Sequence, residues 1–262
     1  MLEAAFARAK AERRLAFIPY VMAGDPDLET TEMLLEALTA SGADTLELGI
    51  PYGDPLADGP TIASAAARSL AGGTRLAEVL ALVSRCHARC APLVLFAYFN
   101  PIDRFGAARF AGAAKEAGAA GAIVPDVALE ESGELRDALR ARGLAMPLLV
   151  APSTPRERAA RIAAASSGFI YVVSRLGVTG AAKAPRLEPL RRQLTMLREL
   201  TGEPLAVGFG LHRPQDVRDV ATLADGVVIG SALIDAYTGT RGQDAVRRVT
   251  EFVAPLIAAT TL

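Results

Sequence analysis

The sequence predicts a single (β/α)8 barrel, the fold in which eight parallel strands alternate with helices and close into a cylinder. Eight short runs of almost continuous apolar residues are typical of strands buried on both faces. Longer segments with apolar residues at three- and four-residue spacing separate these runs, as amphipathic helices would. The length of 262 residues suits eight such units, so we expect one barrel domain spanning residues 1–262.

The eight strands are expected in apolar runs that are bounded by turn-forming residues. An open, doubly wound sheet is the alternative, but the first strand leads into Ala23, Gly24, Asp25 and Pro26 rather than into a glycine-rich phosphate-binding turn. The strands are predicted at residues 16–22, 45–50, 93–98, 122–125, 147–151, 169–174, 205–209 and 226–229.

The segments between the strands carry start and stop signals for helices. Asp27 is a plausible N-cap, Pro214 suits a first helical turn, and Gly42, Gly118 and Gly143 follow helical segments as C-terminal caps do. We expect helices at residues 28–41, 61–70, 75–88, 104–117, 130–142, 156–165 and 214–224, with a short helix opening near Ala232.

Two loops are longer than simple alternation requires. Residues 51–60 follow the second strand, and residues 175–185 follow the sixth. Loops after the carboxyl ends of barrel strands build the active site. These two loops therefore predict a covered site.

Charge and cysteine content exclude several classes of function. The net charge is −1 and no long basic run occurs, which argues against nucleic acid or an anionic membrane as a partner. We expect neither a membrane-spanning helix nor a secretory signal, and hence a cytoplasmic protein. Cys86, His87 and Cys90 could supply half of a zinc site, but a structural site needs about four ligands, so we expect free thiols and no metal.

Glu47 is the first candidate catalytic residue. Because side chains alternate along a strand, Glu47 shares a face with Thr45 and Gly49, opposite the aliphatic residues, and would point into the barrel mouth. Desolvation there would raise the pKa of the carboxyl toward neutrality, which suits a proton shuttle. The alternative is a structural glutamate paired with an arginine.

Asp58 is the second candidate, in the loop 51–60. Prolines stiffen this loop by fixing φ, so the loop presents Asp58 rigidly. Asp in a Pro- and Gly-rich loop is often only a turn residue. The proximity of Glu47 favours a catalytic pair instead.

Glycines at the ends of the last two strands predict a phosphate cradle. Gly210 follows strand 7, and Gly230 and Ser231 follow strand 8, where a short helix begins. Backbone N–H groups approach an anion closely at glycine, and a helix N-terminus favours negative charge. Many barrels hold phosphate at this place. The sequence therefore predicts a small phosphorylated substrate, over which the loop 175–180 could close.

At these residues the chain resembles the tryptophan synthase α-subunit family over essentially its whole length. The segment 46–60, LELGIPYGDPLADGP, matches the family signature almost residue for residue. The segments 98–101, 125–126, 174–180, 208–210 and 230–232 match in the same order.

The resemblance implies the retro-aldol cleavage of indole-3-glycerol phosphate to indole and glyceraldehyde 3-phosphate. Glu47 would protonate indole C3 and help to deprotonate the glycerol 3′-hydroxyl. Asp58 would bind the indole N–H and stabilise positive charge on the ring. Tyr171 would line the site near Glu47. The remaining implied positions are Tyr20 and Phe96 around the indole, and Gly180, Gly210, Gly230 and Ser231 around the phosphate.

The resemblance also implies a β-subunit partner in an α2β2 heterotetramer, to which indole would pass through a tunnel. Asp54, Asn100 and Pro101 would face that partner. Pyridoxal phosphate would belong to the β subunit, and no cofactor is expected in this chain. Departures from the family pattern occur at Gly53, Ala63 and Ala128, where Ser, Gln and Pro are usual, and they put the strength of coupling to β in doubt.

Three other functions stay open at this point. A free-standing lyase would perform the same cleavage and release indole. A non-catalytic subunit would only activate β, although the presence of both Glu47 and Asp58 speaks against it. Another phosphate-binding barrel, such as a sugar-phosphate isomerase, would need a base on a later strand, and none is evident.

Overall fold

Eight parallel strands form the centre of the protein in the computed structural model, which describes residues 1–174, 187–208 and 210–262. The strands are short and almost wholly buried, as the continuous apolar runs predict. They are β1 (Ala16–Met22), β2 (Leu46–Gly49), β3 (Leu93–Phe96), β4 (Gly121–Ile123), β5 (Leu148–Val150), β6 (Ile170–Val173), β7 (Leu205–Gly208) and β8 (Gly226–Ile229).

The strand order confirms the barrel and rules out the doubly wound sheet. The hydrogen-bonded order is β4-β3-β2-β1-β8-β7-β6-β5, so the first and last strands of the chain are neighbours. Between β4 and β5 the closure is a parallel bridge of Gly121 with Ala145, just before β5. The amide of Ala122 donates to the carbonyl of Ala145 at 2.9 Å, which ties the two edges together.

A 3₁₀ turn, His87–Arg89, extends the helix that ends at Cys86. Twelve α-helices surround the strands in the described part of the chain. They are α1 (Leu2–Ala11), α2 (Leu28–Ser41), α3 (Pro60–Ala71), α4 (Leu76–Cys86), α5 (Phe99–Phe105), α6 (Ala107–Ala117), α7 (Gly133–Arg140), α8 (Arg156–Ala165), α9 (Leu187–Leu200), α10 (Pro214–Ala221), α11 (Ser231–Tyr237) and α12 (Gly242–Ala258).

Local sequence signals account for most of the helix ends. The Asp27 carboxylate accepts a hydrogen bond from the amide of Thr30 at 2.6 Å and so caps α2. Gly42 and Gly118 end α2 and α6 in the left-handed conformation, at φ +108° and +91°. Gly143 also has positive φ but lies beyond the end of α7.

One predicted helix is wrong, and three helices lack a prediction. The segment 104–117 is not continuous, because Gly106 at φ +90° separates α5 from α6. A residue with this positive φ cannot continue a right-handed helix. Helices α1, α9 and α12 lie in segments for which no helix was predicted.

A buried ion cluster joins the amino-terminal ends of β1 and β2, opposite the end where the long loops lie. The carboxylate of Asp44 is fully buried and accepts hydrogen bonds from Arg8 and Arg14 and from the amide of Phe17. These donors, the Arg14 guanidinium foremost, hold the pKa of Asp44 below its usual range despite burial. The cluster anchors the barrel end that lies away from the candidate site.

Two structural features bear on the expectations that the chain has no membrane-spanning helix and no metal site. In the part of the chain that the structure describes, no helix is long and apolar enough to cross a bilayer. Across residues 1–174, 187–208 and 210–262, no three His, Cys, Asp or Glu side chains are grouped as metal ligands would be. Cys86 and Cys90 are free thiols.

Barrel closure generates a prediction about Gly121. A Cβ at this position would lie 2.4 Å from the carbonyl oxygen of Ala145, so Gly121→Ala must push β4 away from the closing bridge. We expect a loss of about 1–3 kcal/mol in the free energy of unfolding, measured by denaturant titration.

The matched control is Gly133→Ala at the start of α7, where an added Cβ meets no atom within 4 Å. This variant should be neutral or up to about 1 kcal/mol more stable. Equal stability of the two variants would show that Gly121 does not limit the closure.

Candidate active site

Glu47 lies where β2 faces the barrel interior. Its register neighbours are Tyr20 on β1 and Val94 on β3. The side chain is 1% exposed, and none of the described residues forms a hydrogen bond with Oε1. Burial raises the pKa of the carboxyl from 4.5 to about 8. At neutral pH Glu47 is therefore mostly protonated, which makes it a proton donor in an apolar pocket.

Asp58 lies in the loop after β2 and is only partly buried. Its amide donates to the carbonyl of Pro55 at 3.1 Å, which fixes the turn that presents the carboxylate. Burial raises the pKa of Asp58 to about 6, and a hydrogen bond from the Tyr98 hydroxyl opposes that rise. Asp58 is thus mostly ionised at neutral pH, whereas Glu47 is not.

Tyr20, Phe96 and Tyr171 form aromatic walls beside the two carboxyl groups. The rings of Tyr20 and Phe96 meet edge to face, with centroids 5.6 Å apart. Tyr171 projects from β6 and is buried. The pKa values of Tyr20 and Tyr171 rise well above 10, chiefly through burial, with smaller contributions from the charges of Glu47 and Asp58. These aromatic side chains therefore share one space with both carboxyl groups.

Two glycines make room for the tyrosine hydroxyls inside the barrel. A Cβ on Gly49 would lie 2.1 Å from the Tyr20 hydroxyl, and a Cβ on Gly208 would lie 2.4 Å from the Tyr171 hydroxyl. Neither glycine can be replaced without moving a wall of the site. The glycine two residues after Glu47 is therefore part of the site.

The predicted phosphate positions lie at the carboxyl ends of β7 and β8. Gly230 is the N-cap of α11, and Ser231 is its first residue. A Cβ on Gly230 would lie 3.8 Å from the Cβ of Tyr20, so this corner adjoins the aromatic walls. Gly210 follows β7 in the left-handed conformation, at φ +84°. Gly180, like the whole of the loop 175–186, lies outside the described residues.

Asp54, Asn100 and Pro101 lie on the rim of the same barrel end. Asp54 and Asn100 are exposed, and Pro101 is half-buried. The Asn100 side-chain amide donates to the Tyr52 hydroxyl at 3.0 Å, which joins the start of α5 to the loop after β2. These residues therefore form a surface next to the site rather than part of its interior.

Tyr98 is a residue of the site to which the sequence pattern gives no role, although it lies in the segment 98–101 that matches the family. The side chain is 3% exposed, and its hydroxyl accepts a hydrogen bond from the amide of Ala57 at 3.0 Å. The same hydroxyl lowers the pKa of the neighbouring Asp58 carboxyl. The signal that could have found Tyr98 is its place two residues after the end of β3, where barrel enzymes carry functional side chains.

Comparisons with known proteins agree with this fold. The family model described as "Tryptophan synthase alpha chain" matches residues 6–260. A tryptophan synthase alpha chain from Prochlorococcus marinus is 52% identical over 87% of this chain and 84% of its own length. One from Arabidopsis thaliana is 45% identical over 89% of this chain and 85% of its own length.

Solved structures show the same likeness. A chain of Mycobacterium tuberculosis tryptophan synthase superposes with a TM-score of 0.91 at 35% identity, covering 100% of this chain and 98% of the other. The tryptophan synthase subunit alpha of Legionella pneumophila gives a TM-score of 0.89 at 33% identity, covering 99% and 97%. On the fold, the site and these matches, the chain belongs to the tryptophan synthase alpha chain family.

Proposed function

We propose that this chain is the lyase subunit that cleaves indole-3-glycerol phosphate to indole and glyceraldehyde 3-phosphate in tryptophan biosynthesis. Family membership supports the reaction, and it does not favour a free-standing lyase. The observation that carries the proposal is the unequal carboxyl pair in the barrel mouth. Glu47 is protonated near neutrality, and Asp58 is ionised.

Glu47 begins the reaction as a general acid. Its buried carboxyl gives a proton to indole C3, which leaves the ring as a cation with charge at the nitrogen. The ionised carboxylate of Asp58 accepts the indole N–H and stabilises this positive charge. Opposite charges attract strongly in a site from which water is excluded.

Glu47 then acts as a general base. The Glu47 carboxylate takes the proton of the 3′-hydroxyl, a carbonyl forms at that carbon, and the bond from this carbon to indole C3 breaks. The electron pair of that bond returns to the ring and neutralises the cation. Glu47 ends the cycle protonated, so the residue that gave the first proton is restored.

The remaining residues hold the substrate. Tyr20 and Phe96 flank the indole ring, because their edge-to-face arrangement leaves an apolar wall beside both carboxyl groups. Tyr171 lines the site near Glu47. The phosphate lies against Gly210, Gly230 and Ser231, with Gly180 contributing from the loop after β6. The start of α11, which no side chain caps, supports this placement.

Membership in the family implies a β-subunit partner. We propose an α2β2 assembly in which indole passes to β, with Asp54, Asn100 and Pro101 facing that subunit. Their position on the rim, next to the loop that carries Asp58, supports this orientation. Pyridoxal phosphate belongs to the β subunit in this proposal, and the cleavage uses only side chains of the present chain.

We also propose one domain for residues 1–262 and a cytoplasmic location. A single family model that matches residues 6–260 supports the first proposal. The free thiols of Cys86 and Cys90 support the second, because a reducing compartment keeps thiols free.

Glu47→Gln tests the proton-transfer role. The amide keeps the shape of the side chain but can neither donate nor accept the transferred proton. We expect kcat for indole-3-glycerol phosphate cleavage to fall by about two to four orders of magnitude.

Glu116→Gln is the matched control, because Glu116 is exposed on α6, away from the site. It should keep the wild-type rate. Equal turnover by the wild type and Glu47→Gln would refute the central assignment.

The two carboxyl groups also predict a bell-shaped pH profile of kcat/KM. Below about pH 6 Asp58 becomes protonated and loses the charge that stabilises the ring cation, so the rate falls. Above about pH 8 Glu47 loses the proton that it must donate, so the rate falls again. A profile that stays flat from pH 5 to 9 would contradict the assigned protonation states.

Gly230→Asp tests the phosphate cradle. An added Cβ makes only ordinary contacts, the nearest at 3.8 Å, so the backbone tolerates a side chain. A negative charge at the start of α11 should repel the phosphate and raise KM by about tenfold or more. Gly230→Asn, of the same size but neutral, separates charge from bulk, and equal KM values for the two variants would place the phosphate elsewhere.

A further inference from the structure

Tyr98 places its hydroxyl beside two consecutive residues of the loop after β2. Its oxygen accepts a hydrogen bond from the amide of Ala57 at 3.0 Å, and the same hydroxyl favours the charged form of the neighbouring Asp58 carboxylate. A phenol carries one proton and two acceptor lone pairs. Because an ionised carboxylate can only accept, the phenol proton points at Asp58.

The surroundings of Tyr98 hold that hydroxyl in place. The side chain is buried two residues after the end of β3, at the N-cap of α5. Its ring packs against the ring of Tyr52, with centroids 5.3 Å apart. Tyr98 therefore has little rotational freedom. Its hydroxyl is held beside Asp58, so the side chain loses little further freedom when it donates to the carboxylate.

Among the residues that the structure describes, no cation supports the negative charge of Asp58. The influences on Asp58 there are burial, which disfavours the charge, and the Tyr98 hydroxyl, which favours it. A hydrogen bond to a charged group is about twice as strong as one between neutral groups. The phenol is therefore the group that offsets the desolvation of this carboxylate.

We propose that Tyr98 is a positioning residue for the cleavage, whose hydroxyl keeps the Asp58 carboxylate ionised and oriented toward the indole nitrogen. This inference rests on the proposed function, because it gives Tyr98 its effect through the charge of Asp58. It adds a residue from the segment that follows β3 to a catalytic pair that comes from β2 and the loop after it.

Other titratable groups lie near Tyr98 and Asp58, and their pKa values distinguish them from Asp58. Tyr20 and Tyr171 approach Asp58 from β1 and β6, and burial keeps both hydroxyls neutral well above pH 10. Glu47 approaches from β2 and titrates near pH 8. The charge of Asp126 also acts on Tyr98, and its carboxylate accepts from the amide of Phe99 at 2.9 Å. Burial raises the pKa of Asp126, so the Tyr98 variant needs a direct measurement on Asp58.

Tyr98→Phe removes the hydroxyl and keeps the ring. With the donor gone, the charged form of Asp58 loses support, so the acid limb of kcat/KM should move upward by about one pH unit. At pH 6 we expect kcat/KM to fall by about fivefold, because the ionised fraction of Asp58 drops from about half to about a tenth. At pH 7.5 the loss should be less than about twofold, because Asp58 stays mostly ionised there. Tyr52→Phe is the matched control, since it removes a neighbouring hydroxyl that bonds Asn100 and leaves Asp58 untouched. Its acid limb should stay at the wild-type pH.

A double-mutant cycle with Asp58→Asn separates positioning from general support of the fold. In the Asp58→Asn background, Tyr98→Phe should change kcat/KM by less than about twofold, because its target is already gone. The same loss in both backgrounds, or an unmoved acid limb, would overturn the proposal.

A direct titration of the Asp58 carboxyl by ¹³C NMR in the full chain keeps the test independent of turnover. Its pKa should rise in Tyr98→Phe and stay unchanged in Tyr52→Phe, and an unchanged value in Tyr98→Phe would also overturn the proposal. Full activity of Glu47→Gln and Asp58→Asn would instead defeat the proposed function. Loss of activity in those two variants with an unmoved acid limb in Tyr98→Phe would defeat only the role of Tyr98.

Discussion

The burial of the Glu47 carboxyl in the mouth of the barrel is the constraint on which the site depends. Glu47 is 1% exposed, and burial alone raises its pKa to about 8. Because the unfolded chain would lose this proton near pH 4.5, burial destabilises the folded state increasingly above that pH and fully above about pH 8, by several kcal/mol. A structural glutamate would be paired with a cation, and Glu47 forms no ion pair within the described ranges. The unpaired burial therefore favours the proton-shuttle hypothesis over the structural one.

The same fold gives its second carboxyl a different environment, and that difference produces the chemistry. Asp58 is held in a turn rather than on a strand and is less buried than Glu47. The hydroxyl of Tyr98 favours its charged form. Two carboxyl groups with different pKa values can take different catalytic roles: one transfers protons, and the other stabilises positive charge. The barrel supplies this separation by placing one group inside its wall and the other on a stiff loop above it.

Alternation and periodicity predict the parts of the fold that depend on local sequence. Strands β1 and β8 and helices α2 and α8 have the predicted bounds, and the inward direction of Glu47 follows from alternation along β2. The break at Gly106 was missed because the apolar spacing continues across it, and spacing does not report the φ of one glycine. The closing bridge between Gly121 and Ala145 joins distant segments, which no local pattern describes.

In the candidate site, too, some features follow from local sequence and others depend on contacts between distant parts of the chain. Strand alternation pointed to Glu47 and the stiff loop after it to Asp58, and the family resemblance implied their roles. The role of Tyr98, by contrast, depends on a contact across 41 positions of the chain. The pKa of each carboxyl depends on burial, which only the folded chain defines.

The most direct test of the site is a pH titration of the Glu47 carboxyl by infrared difference spectroscopy, with Glu47→Gln to identify the band. The protonated-carboxyl band should persist at pH 7 and disappear with a midpoint near pH 8. A midpoint near 4.5 would show an ordinary solvated carboxylate and would contradict the assignment of Glu47 as the proton donor.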